Sequence, residues 1–186
     1  MKPILVVYGS TEGQTRKIAQ FIAARFEQQG REVHLVDSAS PAAAEVTPIY
    51  AGAVLGGSLH QHKHQAALVH FVKANVEWLN TLPTAFFSVS LSMAGRDAQE
   101  RAEAKKLAEG FLEDTGLAAG MLGLFAGALK YTEYDFLKRF IMRRIAQEAG
   151  GDTDTSHDHE YTDWDEVARF ADDYLAAMHG AARRAA

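Results

Sequence analysis

Between the apolar run Ile4-Leu5-Val6-Val7-Tyr8 and a helical pattern starting at Thr15 lies the segment Gly9-Ser10-Thr11-Glu12-Gly13-Gln14-Thr15. Ser10, Thr11 and Thr15 bring hydroxyls, and Gly13 brings a backbone free of a side chain. A phosphate monoester needs these parts: hydroxyl donors, close backbone approach, and the unpaired N–H groups and partial positive charge of a first helical turn. No lysine or arginine lies within the loop. No Lys-Ser or Lys-Thr pair follows the glycine as in a P-loop, and the dinucleotide spacing G-x-G-x-x-G is absent. A ligand-free strand-to-helix turn capped by serine or threonine is the plainer alternative.

A second group is His60, His62 and His64, which alternate. On a strand they would share a face, and imidazoles bind metals. The segment reads as a loop without a neighbouring carboxylate, so no metal site is expected. An imidazole there can hydrogen-bond a ring edge or a substrate carboxylate, or it can simply be solvated. The run Asp152-Thr153-Asp154-Thr155 lacks EF-hand spacing and reads as a turn held by its own side chains. The chain has no cysteine. Disulfides, thiolate catalysis and cysteine-bound clusters are therefore excluded. Redox chemistry would need an organic cofactor, or a metal on nitrogen or oxygen ligands.

The elements that must position these residues alternate along the chain. Apolar runs at 4–8, 33–36, 50–57, 84–91 and 122–129 read as strands. Helical patterns follow at 15–29, 66–79, 98–115, 133–149 and 162–178. That order is the pattern of βαβ units around a parallel, doubly wound sheet, whose ligands sit outside the carboxyl ends of the strands. With 186 residues, 47% of them hydrophobic, the chain can fill one core but not two comfortable domains. We expect a single domain over 1–178, an insert at about 131–160 and a frayed tail at 179–186. A net charge of −5 gives no support to nucleic-acid binding. The apolar start is too short for a signal peptide. No run reaches the roughly twenty apolar residues of a membrane span. The expected location is the cytoplasm, with any membrane contact peripheral.

Ser10, Glu12, Gly13 and Thr15 match the S/T-x-T/E-G-x-T loop that holds the phosphate of flavin mononucleotide (FMN) in the flavodoxin family, which this chain resembles. The resemblance implies a flavodoxin-like five-stranded parallel sheet. It implies FMN held by Ser10, Thr11, Glu12, Gly13, Gln14 and Thr15, with two further loops on the flavin ring. By position these are Ser58-Leu59-His60-Gln61-His62 and Ser88-Val89-Ser90-Leu91.

Short flavodoxins lack the basic stretch Tyr131–Ile145 and the Gly150-Gly151-Asp152-Thr153-Asp154-Thr155 loop that precede the last helix here. With Phe125–Tyr131 and Glu160-Tyr161-Thr162-Asp163-Trp164, these stretches make the chain similar to the bacterial flavodoxin-type, quinone-dependent protoporphyrinogen IX dehydrogenases, in order from about residue 2 to 176. That family often has an arginine and a glycine where this chain has His60-Gln61-His62. The resemblance implies an FMN-dependent dehydrogenase of haem biosynthesis. In it, protoporphyrinogen IX loses hydrogen to flavin N5 in pairwise steps, and a quinone takes the electrons. No dedicated base is evident. Basic residues of the insert, Lys138, Arg143 and Arg144, could meet substrate propionates or an anionic membrane on the inner face of the cell. They could also merely snorkel over the sheet. An electron-carrying flavodoxin and an NAD(P)H:quinone reductase are the alternatives. The acidic helix at 98–115 suits the carrier.

Overall fold

The computed structural model describes residues 2–129 and 159–185, without the side chains of Leu129, His159 and 181–185. Five parallel strands form one sheet in the order β2-β1-β3-β4-β5. They are β1 (Ile4–Gly9), β2 (Val33–Asp37), β3 (Gly52–Ser58), β4 (Thr84–Ser90) and β5 (Met121–Ala126). Every residue of β1 and β4 is buried, as in inner strands of a parallel sheet covered on both faces. Side-chain alternation divides the core. Ile4, Val6, Val54, Phe87 and Phe125 meet α1 (Gln14–Gln28) and the last helix, α4 (Trp164–Ala185). Leu5, Val7, Leu55 and Phe86 meet α2 (Ala66–Leu79) and α3 (Ala98–Thr115). Gly56 leaves room for the Phe87 ring, which a β-carbon there would overlap.

Helices α1 and α4 are tied by Arg25, which forks onto Asp172 at 2.9 and 2.7 Å. The hydrogen bond and charge of each partner hold the Arg25 group above, and the Asp172 carboxyl below, its ordinary range. Both side chains are about two-fifths exposed, so the pair adds little beyond orientation. Tyr174 of α4 reaches across to donate to the Pro83 carbonyl at 2.9 Å.

The chain leaves β1 for α1 on one face and leaves β3 for α2 on the other. A crevice therefore opens between these neighbouring strands at their carboxyl ends. The expected loops lie there.

The structure departs from expectation in two described places. The fifth apolar run does not continue as one strand. Its pairing with β4 ends at Ser90↔Ala126, and Gly127 turns the chain into β6 (Ala128–Leu129), which pairs antiparallel with β7 (His159–Glu160). The last helix also does not stop at 178. It continues through the expected tail to Ala185, because Ala181, Ala182, Arg183 and Arg184 are strong helix formers and the single Gly180 costs only about 1 kcal/mol. The expected helix at 133–149, with Lys138, Arg143 and Arg144, lies outside the described residues, as does the loop at 152–155.

Candidate functional site

The crevice holds a cavity of about 560 Å³, within the size range of small-molecule sites. Its first wall is the loop after β1. The first backbone bond of α1 runs from Lys17 N to Gly13 O at 3.1 Å. The N–H groups of Gln14, Thr15 and Arg16 therefore have no carbonyl inside the helix, and no side chain caps it. Gly13 sits at φ +96°, a left-handed conformation that favours glycine. Its N–H donates to Ser10 Oγ at 2.9 Å. Thr15 is 1% exposed, and its Oγ1 is a buried oxygen with no partner among the described residues.

The second wall comes from β3 and its loop: Ser58, Leu59, His60, Gln61 and His62. His60 N donates to Lys63 O and Lys63 N to His60 O, at 2.9 and 3.0 Å. This is a two-residue turn with Gln61 at φ 49° and His62 at φ 63°. Two adjacent residues other than glycine in left-handed conformation are strained. His62 Nε2 lies 3.4 Å from Glu103 Oε1 of α3. The two loops are joined by Gln65, whose amide donates to Thr11 Oγ1 at 2.9 Å and also to Ser58 Oγ.

Val89, Ser90 and Leu91 form the third wall. The Ser90 hydroxyl is a second buried oxygen without a partner among the described residues. Ser88, expected beside them, does not line the cavity. Strand alternation turns it with Phe86 toward α2 and α3, where its Oγ lies 2.9 Å from His64 Nε2. His64 likewise leaves the company of His60 and His62. It packs on Phe111 at 4.9 Å, and burial lowers its pKa to about 4. No group of three or more metal-binding side chains occurs among the described residues.

Sequence reasoning missed the fourth wall. Glu100, Glu103, Ala104 and Leu107 of α3 line the cavity, as do Ser92, Gly127 and Ala128. The spacing 100, 103, 104, 107 is one stripe of a helix and was available as a signal. Beyond Gly127, the base of β6 and β7 is pinned to the first wall. Gln14 Nε2 donates to Thr162 Oγ1, which donates to the Ala126 carbonyl, both at 2.8 Å. Lys17 meets Glu160 at 3.1 Å, and Trp164 donates to the same carboxylate at 2.7 Å. Burial raises the Glu160 carboxyl, but these two hydrogen bonds and the Lys17 charge outweigh it and its pKa falls. Trp164 also packs its ring on Phe21 at 5.0 Å.

The donor set suits an anion at one end and a polar ring edge at another. An uncapped helix start and one unpaired hydroxyl stand at α1, and a second unpaired hydroxyl at the end of β4. Among the described residues no lysine or arginine lines the cavity, and three carboxylates (Glu12, Glu100, Glu103) do. The described residues would thus hold a bound phosphate by N–H and O–H groups and by the helix end.

A family model described as a flavodoxin domain matches residues 5–156. The chain belongs to the flavodoxin-domain family. Within it, this flavodoxin domain is 31% identical over 172 residues to the protoporphyrinogen IX dehydrogenase (quinone) of Escherichia coli strain K12, covering 90% of this chain and 91% of that protein. It is 32% identical to the protein of the same name from Leishmania major, covering 92% and 74%. Among solved structures, the flavodoxin of Streptococcus pneumoniae TIGR4 superposes with a TM-score of 0.54 at 13% identity, over 94% of this chain and 98% of that one. Oxidised flavodoxin 2 of Bacillus cereus gives 0.50 at 22% identity, over 77% and 96%. These two establish the fold.

Proposed function

We propose that this flavodoxin domain is an FMN-dependent dehydrogenase that oxidises protoporphyrinogen IX to protoporphyrin IX with a quinone as acceptor. The observation that carries the reading is the pair of buried hydroxyls without a partner among the described residues, Thr15 Oγ1 at the start of α1 and Ser90 Oγ at the end of β4, on two walls of one cavity. Buried polar groups are otherwise almost always paired, so both fit the ligand of this family. The substrate and acceptor come from the relatives named above, which match over nine-tenths of the chain.

In this reading Ser10, Thr11, Gln14, Thr15 and the N–H groups of the first turn of α1 hold the FMN phosphate. Leu59, His60, Gln61 and His62 flank one side of the ring, and Val89, Ser90 and Leu91 the other. FMN supplies the redox chemistry when bound, taking hydrogen from the substrate and passing the electrons to the quinone. The chain contributes position, exclusion of water by Leu59, Leu91 and Leu107, and groups that move protons at the rim. His62 and Glu103 are the pair best placed to take protons from substrate nitrogens. A quinone acceptor would be met at a membrane surface. No helix among the described residues is long and apolar enough to cross one; in this reading the contact is peripheral, through Lys138, Arg143 and Arg144.

The test is anaerobic. Holoprotein mixed with protoporphyrinogen IX should lose its oxidised-flavin absorbance and regain it on adding a quinone, whereas NADH should leave it oxidised. Bleaching by NADH alone would favour the reductase reading instead. Arg143→Ala with Arg144→Ala should spare FMN binding while raising the KM for protoporphyrinogen or weakening binding to anionic vesicles. A change in thermal stability alone would remove both roles.

A further inference from the structure

A second, larger cavity of about 930 Å³ lies between α2 and α3. It shares His62, Glu103 and Leu107 with the first, so the His62–Glu103 pair is a partition common to both. The two cavities differ in charge. Among the described residues the first carries Glu12, Glu100 and Glu103 without a lysine or arginine. The second carries Lys63, Lys73 and Lys106 against Glu103 and Asp114. All three lysines are exposed, and none has a carboxylate within ion-pair distance among the described residues. Three unpaired ammonium groups around one groove stand out in a chain of net charge −5. The floor between them is apolar: Val69, Leu107 and Phe111, with the imidazole of His64. Burial keeps that imidazole neutral at pH 7, so it adds no charge beside the lysines.

We infer that the groove between α2 and α3 is a binding site for an amphipathic dicarboxylate, with Lys63, Lys73 and Lys106 receiving the carboxylates and the apolar floor receiving the body. This rests on the proposed function for the identity of that ligand, the porphyrinogen with its two propionates. In the first cavity the anion-binding donors at the start of α1 are taken by the cofactor phosphate, and α3 presents Glu100 and Glu103, so the acidic arms need a place outside it. The groove offers that place on the far side of the partition. The ring nitrogens then face the His62–Glu103 wall, whose acceptor atoms suit N–H donors. Lys63 before α2, Lys73 on α2 and Lys106 on α3 thereby add cationic recognition of the substrate to any that Arg143 and Arg144 supply.

The experiment uses FMN-loaded protein and two probes, mesoporphyrin IX and its dimethyl ester, in a neutral detergent. Binding is read by porphyrin fluorescence. Wild-type protein should bind the diacid at least tenfold more tightly than the ester. Lys73→Glu combined with Lys106→Glu should abolish that preference. FMN affinity and the thermal midpoint should stay unchanged, since both residues are exposed and neither lines the cofactor cavity. Equal binding of diacid and ester by wild type overturns the inference. So does a preference that survives in the variant, or a variant that weakens only quinone binding. Turnover of protoporphyrinogen by wild type is measured separately. Absent turnover with a lost diacid preference in the variant keeps the site and sinks the proposed substrate. Normal turnover with an unaltered preference does the reverse.

Discussion

Thr15 and Ser90 illustrate what a single atom can reveal. Each buries a hydroxyl with no partner in the described protein, a cost of about 1–3 kcal/mol unless a ligand meets it. Thr15→Val should therefore lower FMN affinity roughly ten- to a hundredfold, as expected for a charge-assisted bond of about 1.5–3 kcal/mol. Ser38 is the internal control. Its hydroxyl is also buried and unpaired but does not line the cavity, so Ser38→Ala should leave FMN titrations unchanged. Affected titrations for Ser38→Ala, or unaffected ones for Thr15→Val, would detach the hydroxyls from the cofactor. His64 gives a stability prediction. Its folded pKa, about 4, lies below the ordinary 6.5, so the unfolded chain binds the extra proton. The stability it confers is complete above pH 6.5 and is lost as pH falls toward 4, by at most about 3 kcal/mol. Urea unfolding at pH 7 and 4.5 should show that loss, and His64→Gln should flatten it. Thr15 was legible in the sequence because loop chemistry is local. Ser88 and His64 were not, since strand alternation and helix packing turn them away from their neighbours in sequence.

Whole elements follow the same logic. Helices α2 and α3 begin and end where the apolar spacing places them, because nothing but the sheet competes for their inner faces. The turn at Gln61-His62 was not legible. Neither residue is one that a left-handed turn prefers, and the conformation is held by the reciprocal bonds between His60 and Lys63 and by the His62–Glu103 contact. Relief of about 1–2 kcal/mol of strain, partly offset by the greater freedom of glycine in the unfolded chain, should make Gln61→Gly stabilising by about 0.5–1 kcal/mol. A urea midpoint for the FMN-free protein that falls instead would show that the Gln61 side chain holds the loop. The broken fifth strand was hidden for a different reason. Apolar residues continue past Gly127, but their partner strand β4 has ended, and pairing is a property of two segments at once.

At the scale of the molecule, β6 and β7 bring residues 129 and 159 side by side as antiparallel partners, on a base pinned by Thr162 and Glu160. The chain between them can accordingly be exchanged for an Asn-Gly turn, which suits two paired strands. That variant should fold and bind FMN within about twofold of wild type, because a twofold change is under 1 kcal/mol and the phosphate loop is untouched. It should lose protoporphyrinogen oxidation or membrane association. Loss of FMN binding would mean that the segment helps build the cofactor cavity itself. The arrangement of the cavity has a further consequence, for how the protein is made. Its walls come from residues near 10, 60, 90, 103 and 127, so no stretch of nascent chain shorter than the first two-thirds contains a complete site. Parallel strands that meet only after long loops close are slow to assemble. FMN therefore has nothing to grip until that assembly is nearly over, and its binding energy is added wholly to the finished state. At a hundred times its dissociation constant, that amounts to about 2.7 kcal/mol. A cell short of flavin would then hold this protein chiefly in its weakly braced form, open to proteases.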